Sequence, residues 1–398
     1  MIQMTKSKEE SLLEYYQTNS INPCIIPVED EKVWEDHRIK RQNLYRHLMI
    51  PLNYFRNKSI LEFGCNSGEN ALYLASIGAC LTLYEPNNQV IPRLKKIFTH
   101  FKLEQNITDI YNKDITSYSD DKRYNMVVAE GFLHTLKNRE RMLLKIGNML
   151  VPGGLAIISY DDKYGSMLEM IKILLLCRLC QIRNVALNSD HSLKLANDLF
   201  REDFKQLNAS RSFKSWWEDN LVNSHSSFQA FWSFKEIINV ITQANCSFYS
   251  SSPRWSNIDN YTWHKNVLTE NERKQCLNDE WNNNFLFFLT GLQPKGGINI
   301  APTQTVISAV EDLIKMISEN CFSRQGNIGM IQYPEELERY MMKTNNPDVM
   351  LLNQSLKSLF KTIHTNDCET IINHYHSLRD LRKMWGTSLH YICFSKPI

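Results

Sequence analysis

The sequence has almost no excess of charge of either sign. Its 398 residues include 45 basic and 43 acidic side chains, which leaves a formal net charge of +2. Proteins that bind nucleic acid or anionic membranes concentrate positive charge, because that charge steers them toward phosphate groups. The balanced composition therefore indicates that nucleic acid is not a partner.

The sequence also lacks a dense set of cysteines and a long apolar run. Its ten cysteines stand at irregular positions, unlike those of a small secreted domain, so we expect reduced thiols and a cytoplasmic protein. Residues 1–17 mix charges without an apolar run, which predicts no signal peptide. The stretch from Met167 to Cys180 is shorter than the roughly 20 residues that span a bilayer and carries three charges. It predicts a core-facing helix and no membrane span.

What the sequence does contain is an ordinary globular composition with short apolar runs that alternate with helical patterns from residue 58 onward. The runs at 59–63, 80–84, 107–111, 125–129 and 155–159 predict five strands. Such alternation is typical of parallel βα units, so we predict an α/β fold with a doubly wound, mostly parallel sheet. Residues 248–255 predict a sixth strand, and either 285–289 or 389–394 provides a seventh.

Glycine and proline residues within 293–303 mark a loop, which we take as the main domain boundary. After it, helical patterns over 305–320 and 348–364 predict a mainly helical C-terminal region, 300–398. The remaining chain divides into an N-terminal helical segment, 1–54, and a sheet domain, 55–292. Residues 163–265 form an elaboration within that domain.

A glycine-containing turn follows the first predicted strand. Gly64 and Gly68 would let the backbone approach a ligand closely, and Asn66 adopts positive φ more readily than most residues. Glu62 places a carboxylate at the tip of the strand, which suits a cationic ligand. A phosphate-binding loop would need lysine where Glu69 stands, and a dinucleotide fingerprint would need glycine at position 66.

Four motifs in chain order resemble those of the class I S-adenosylmethionine-dependent methyltransferases. They are the turn from Glu62 to Gly68, Glu85 after the second strand, Asp114 after the third, and Pro152-Gly153-Gly154 before the fifth. The resemblance covers residues 58–162 and departs from the family at Asn66, where glycine is more common. It implies a seven-stranded Rossmann-like sheet that binds S-adenosylmethionine and releases S-adenosylhomocysteine.

The resemblance also implies which residues bind the cofactor, with the N-terminal segment covering them. They are Glu62, Gly64, Asn66, Gly68, Glu85, Asp114, Ile115 and Glu130. The turn would line the methionine part, Glu85 would accept hydrogen bonds from the ribose hydroxyls, and Asp114 would meet the adenine. This placement agrees with the general rule that open α/β sheets bind ligands at the carboxyl ends of their strands.

The loop after the fourth strand carries the expected catalytic residues, His134 and Glu130. Methyl transfer from a sulfonium requires alignment and exclusion of water, and a base helps where the acceptor is a hydroxyl or a protonated amine. His134 is the candidate base, and packing against the next helix is its alternative. Glu130 could instead position the cofactor's ammonium group. Asp161 and Asp162 could bind Mg²⁺ with Glu130, but acids at a strand end commonly cap or solvate, so we expect no metal.

Aromatic, basic and acidic residues beyond the fifth strand are candidates for the acceptor site. They are Asp161, Arg211, Trp217, Arg254 and Trp263. A tryptophan side chain combines a large apolar surface with an N–H group that can donate a hydrogen bond. Arginine can bind a carboxylate or phosphate through two hydrogen bonds. Core packing is the alternative for the tryptophans.

These patterns together predict methyl transfer to an oxygen or nitrogen atom of a small polar metabolite or a saccharide. Two alternatives stay open. One is a protein side chain as the acceptor, and the other is a non-catalytic protein that binds S-adenosylmethionine for regulation. The patterns do not predict an oligomeric state.

Overall fold

The structure is a computed structural model that describes residues 12–19, 22, 25–119, 121–225, 227–256, 263–292, 300–323, 326 and 328–398. Within these residues, seven strands form one sheet. They are β1 Ser59–Phe63, β2 Cys80–Tyr84, β3 Ile107–Tyr111, β4 Tyr124–Ala129, β5 Leu150–Asp161, β6 Ser247–Ser252 and β7 Leu389–Ser395. Their order is β3-β2-β1-β4-β5-β7-β6, with β1 to β5 parallel and β7 antiparallel to both neighbours. The predicted mostly parallel, doubly wound, seven-stranded sheet is confirmed.

The seventh strand is the C-terminal candidate, and the other candidate is wrong. Residues 285–289 lie in a helix, where Phe285, Phe288 and Leu289 are buried, because a short apolar run suits a buried helix as well as a strand. Since β7 lies between β5 and β6, the region 300–398 completes the sheet, beyond the range 55–292 expected for the sheet domain. Most of the expected boundary loop, 293–299, lies outside the described residues.

The helices of the described residues flank this sheet or pack beyond it. They are α1 Leu12–Thr18, α2 Glu31–His47, α3 Glu69–Ser76, α4 Ile91–His100, α5 Arg139–Asn148, α6 Met167–Ile182, α7 Asp190–Phe204, α8 Phe213–Trp216, α9 Phe234–Gln243, α10 Glu270–Thr290, α11 Gln304–Cys321, α12 Glu335–Lys343, α13 Pro347–Ile363, α14 Cys368–Ser377 and α15 Arg379–Arg382. Helix α6 is buried over nearly its whole circumference, as expected for a core helix. None of the helices in the described part of the chain is both long and apolar enough to cross a bilayer.

Two apolar cores cover the two faces of the sheet. Successive residues of a strand point to opposite faces, and in β1 Leu61 and Phe63 belong to one core while Ile60 belongs to the other. The smaller core includes residues of α2, α3 and α4. The larger one runs from α5 through α6 to the C-terminal helices α11, α12 and α13. The mainly helical C-terminal region is therefore continuous with the core on one face of the sheet.

Candidate active site

The predicted site residues meet at one edge of the sheet. Strands β2, β1, β4 and β5 are parallel neighbours, so Glu62, Glu85, Glu130 and Asp161 stand in or just after adjacent strand ends. The chain passes from β1 outward to β3 and then returns to β4 on the other side of β1. A crevice opens at such a reversal of strand order and is the usual ligand site of an open α/β sheet.

The turn between β1 and α3 needs its glycines for its backbone shape and for close packing. Gly64, Asn66 and Gly68 all have positive φ, at 65°, 50° and 86°, and the sequence predicted this conformation for Asn66. A Cβ on Gly64 would lie 2.6 Å from Cδ1 of Phe132, and one on Gly68 would lie 2.9 Å from Cγ of Leu94. Both glycines therefore permit close packing against protein side chains, in addition to the ligand approach that the sequence predicted.

We expect Gly64→Ala to destabilise the protein by about 2–5 kcal/mol, because left-handed backbone strain adds to overpacking against Phe132. Gly131→Ala is a matched control, since Gly131 also has positive φ but no heavy atom of the described residues lies within 4 Å of its Cβ position. That variant should cost about 1–2 kcal/mol from strain alone. Urea unfolding measures both. If both variants lose the same free energy of unfolding, overpacking against Phe132 does not contribute to the effect of Gly64→Ala.

Glu85 ties the end of β2 to this turn. Its Oε2 accepts a hydrogen bond from the backbone N–H of Asn66 at 2.7 Å, and its Oε1 accepts one from Asn87 at 2.8 Å. Burial raises the pKa of Glu85, and the two N–H donors oppose that rise. Each carboxylate oxygen can accept more than one hydrogen bond, so both can still bind ligand hydroxyls.

Glu62 is the most unusual group of the site. Its side chain is 3% exposed, and its Oε2 has no hydrogen-bond partner among the described residues. Burial, reinforced by Glu130, raises the pKa of Glu62 to about 8, although Arg41 opposes the rise. A buried polar group without a partner costs about 1–3 kcal/mol. This orphaned carboxyl therefore marks the point where a cationic ligand group would be stabilised.

Arg41 of α2 interacts electrostatically with Glu62 and binds Glu130 at two points. Its Nη1 is 2.8 Å from Oε2 and its Nη2 is 2.7 Å from Oε1, and the two side chains are 7% and 10% exposed. Tyr45 and Asn70 complete the polar contacts. Glu130 thus anchors the N-terminal segment through Arg41, a contact that the sequence did not predict. Sequence reasoning missed Arg41, because one arginine in an amphipathic helix gives no signal.

His134 and Asp161 form a pair at the ends of the neighbouring strands β4 and β5. His134 lies in the short turn 133–135 after β4 and is 4% exposed, and its Nε2 is 3.3 Å from Oδ2 of Asp161 at the end of β5. Burial tends to raise the pKa of Asp161, but His134, Arg211 and His390 lower it below its usual value. The structure brings together two residues that the sequence proposed for separate roles.

The other predicted acceptor residues are not gathered at this pair, apart from Arg211. Arg211 binds Asp219 at 2.7 Å and also Asn220. Trp217 is buried in the core, which is the packing alternative. Arg254 is exposed beyond β6, which β5 and β7 separate from β4. Trp263 is 64% exposed, and its ring contacts are with its neighbours His264 and Lys265. The structure therefore does not bring Trp217, Arg254 and Trp263 together with His134 and Asp161.

Two further predicted residues cap local turns. Asp114 is exposed after β3, and its Oδ1 accepts hydrogen bonds from the backbone N–H and the hydroxyl of Thr116, while Ile115 is buried. Asp162, considered for Mg²⁺, accepts hydrogen bonds from the N–H groups of Tyr164 and Gly165 at the start of α6. Within the described ranges, no group of three or more histidine, cysteine or acidic side chains could hold a metal ion.

A family model described as a methyltransferase domain matches residues 36–246, which is more than half of the chain. The chain belongs to this methyltransferase family. The resemblance to class I methyltransferases that the motifs between Glu62 and Gly154 indicated is thereby confirmed. No curated protein matches the sequence of this methyltransferase.

Solved structures of methyltransferases resemble parts of this chain. The CcbJ methyltransferase from Streptomyces caelestis is 17% identical over 33% of this chain and 51% of its own, with a TM-score of 0.28. The glycopeptide N-methyltransferase MtfA, complexed with sinefungin, is 18% identical over 33% and 56%, with a TM-score of 0.28. An S-adenosylmethionine-dependent methyltransferase from Mesorhizobium loti is 17% identical over 31% and 55%, at 0.27. This methyltransferase spans about half the length of these structures.

Proposed function

We propose that this methyltransferase transfers a methyl group from S-adenosylmethionine to an oxygen or nitrogen atom of a small polar metabolite or saccharide. The single observation that carries the proposal is the orphaned, buried carboxyl of Glu62 at the tip of β1. This carboxyl lies near the carboxyl end of β1, in a chain that belongs to a methyltransferase family. A permanently buried acid without a partner is costly, and a ligand ammonium group relieves that cost.

The neighbouring residues fit the rest of the cofactor. Glu85 keeps lone pairs for two ribose hydroxyls, and a charged acceptor forms stronger hydrogen bonds than a neutral one. Asn66 and Gly68 belong to the turn beside Glu62, and Asp114 with Ile115 at the end of β3 completes the proposed set. When bound, S-adenosylmethionine supplies a methyl group on a positively charged sulfur atom, so the protein needs to provide no covalent catalysis.

The acceptor side is proposed from the polar pair of His134 and Asp161. Arg211 and Glu169 interact electrostatically with Asp161, and Arg211 also pairs with Asp219, so positive and negative charges are mixed around the pair. Such a mixture offers both hydrogen-bond donors and acceptors, which a polyhydroxylated or amine-bearing molecule can satisfy. We propose that His134 takes the proton of the acceptor group during transfer.

Calorimetric titration of the full chain tests the cofactor assignment. We expect micromolar binding of S-adenosylmethionine and S-adenosylhomocysteine and no binding of NAD. Glu85→Ala should weaken both affinities at least about tenfold, because each lost charge-assisted hydrogen bond is worth about 1.5–3 kcal/mol. Glu104→Ala removes the same charge at an exposed position and should change neither affinity.

Glu85→Gln separates the lost ligand contact from damage to the turn, because the amide keeps an acceptor oxygen and nearly the same volume. Thermal unfolding of each variant shows whether the fold is intact. If neither sulfur compound binds the folded wild-type chain, the cofactor assignment is wrong. If both bind but Glu85→Ala and Glu85→Gln retain full affinity, Glu85 does not hold the ribose.

A further inference from the structure

The two ring nitrogens of His134 have different surroundings. Nε2 lies 3.3 Å from Oδ2 of Asp161, whereas Nδ1 is buried with no hydrogen-bond partner among the described residues. In a neutral imidazole, one nitrogen carries the hydrogen and the other carries a lone pair. An ionised carboxylate only accepts hydrogen bonds. The nitrogen that faces Asp161 is therefore the one that carries the hydrogen, and the lone pair is at Nδ1.

We infer that Asp161 is a positioning residue that fixes His134 in the Nε2–H tautomer and leaves Nδ1 as the proton acceptor for methyl transfer. This role replaces the substrate contact that the sequence predicted for Asp161. The inference rests on the proposed function, because it deepens the role of the same site.

The pair is held from both sides by backbone contacts. The N–H of Gly131 donates to the hydroxyl of Ser159 at 2.7 Å, which fastens the loop after β4 to β5. Arg139 donates to the carbonyl oxygen of His134 at 3.1 Å and to the carbonyls of 229–231. The carbonyl of Asp161 accepts a hydrogen bond from the N–H of Trp232 at 3.0 Å. Supported in this way, the two side chains keep their relative geometry.

The charges around the pair favour an ionised Asp161. His134, Arg211 and His390 all lower the pKa of Asp161 against the effect of burial. Glu169 on α6 also faces Asp161, and burial together with Asp161 raises the pKa of Glu169. The guanidinium of Arg139 contacts the backbone of His134. An ionised carboxylate beside the ring stabilises the imidazolium that forms when Nδ1 takes up a proton.

The proton transfer balances without any further reactant. The O–H bond of an acceptor hydroxyl breaks, its proton forms a bond to the Nδ1 lone pair, and the electron pair of the broken bond stays on the acceptor oxygen. That oxygen is then the atom that is methylated. The ring becomes positively charged, and Asp161 offsets this charge through the hydrogen bond at Nε2. A protonated amine reacts in the same way through its N–H bond.

Long-range proton–nitrogen NMR of the ¹⁵N-labelled full chain, without any ligand, tests the inference. The spectrum shows which nitrogen of each histidine ring carries hydrogen, and His134→Gln identifies the signals of His134. We expect a single Nε2–H tautomer in the wild type at a pH where the ring is neutral. Asp161→Asn should introduce a second tautomer, because an amide both donates and accepts, and Asp161→Glu should restore the single one.

Asp121→Asn is the control, because it makes the same change at an exposed position and should leave the ring signals unchanged. A hydrogen on Nδ1 of the wild type would overturn the inference. So would an unchanged His134 spectrum in Asp161→Asn. If Asp161→Asn does not fold, the wild-type spectrum still decides. The spectrum needs no cofactor, so its failure is distinct from the failure of S-adenosylmethionine to bind in calorimetry, which would overturn the proposed function itself.

Discussion

Replacing His134 with alanine will lower kcat by about 10²–10⁴-fold, which is the usual contribution of a positioned general base. Affinity for S-adenosylmethionine should stay within about twofold, because no hydrogen bond or ion pair found among the described residues joins His134 to Glu62 or Glu85. The expected loss lies in kcat, since the proton moves only in the transition state.

The measurement is transfer of labelled methyl from S-adenosylmethionine to whichever member of a panel of sugars and polar metabolites turns over. His191→Ala is the matched control, because His191 is exposed on α7, and it should retain full activity. Urea unfolding distinguishes lost catalysis from lost structure. Normal turnover by a folded His134→Ala protein would remove His134 from the reaction.

Arg41→Met should destabilise the protein by about 3–5 kcal/mol, because it leaves the buried carboxylate of Glu130 without its partner. Methionine keeps much of the side-chain volume, so lost charge dominates the effect. Urea unfolding at neutral pH measures it. Arg41→Met with Glu130→Gln should recover part of the lost stability.

Arg38→Met on the same helix is the control for this prediction. Arg38 pairs with Glu35 across one turn, and both side chains are substantially exposed, so the pair should contribute at most about 1 kcal/mol. If Arg41→Met lowers the free energy of unfolding no more than Arg38→Met does, the buried Arg41–Glu130 pair gives no net stability. Apolar contacts alone would then hold α2 in place.

The strand ends of the site were predictable because a parallel sheet gathers them at one edge. Glu62, Glu85 and His134 lie at or after the ends of apolar runs of strand length. Because helices alternate with these runs, the strands are parallel and their carboxyl ends lie at the same edge of the sheet. The seventh strand was not predictable, since 285–289 and 389–394 are both short apolar runs without a distinguishing period. Tertiary packing alone decides between them.

The missing parts of the site depend on contacts that sequence patterns do not encode. Arg41 and Glu130 are 89 positions apart in the sequence, and no pattern in either segment predicts that they pair. Gly64 was singled out as a residue that lets the backbone approach a ligand, but the aromatic ring of Phe132 that packs beside it belongs to a distant loop. The sequence identified Asp161 as a polar residue near a strand end, but only the three-dimensional fold brings its carboxylate to His134.

The place of β7 in the sheet has a consequence for how the chain is made. Strand β6 pairs only with β7 among the described strands, and residues 253–388 lie between them in sequence. At the roughly 5–20 residues per second of protein synthesis, β6 and the facing edge of β5 stay unpaired for about 7–27 s. Unpaired strand edges are templates for wrong pairing. The helices α10 to α15, made in that interval, therefore emerge while the nascent sheet is still open to aggregation.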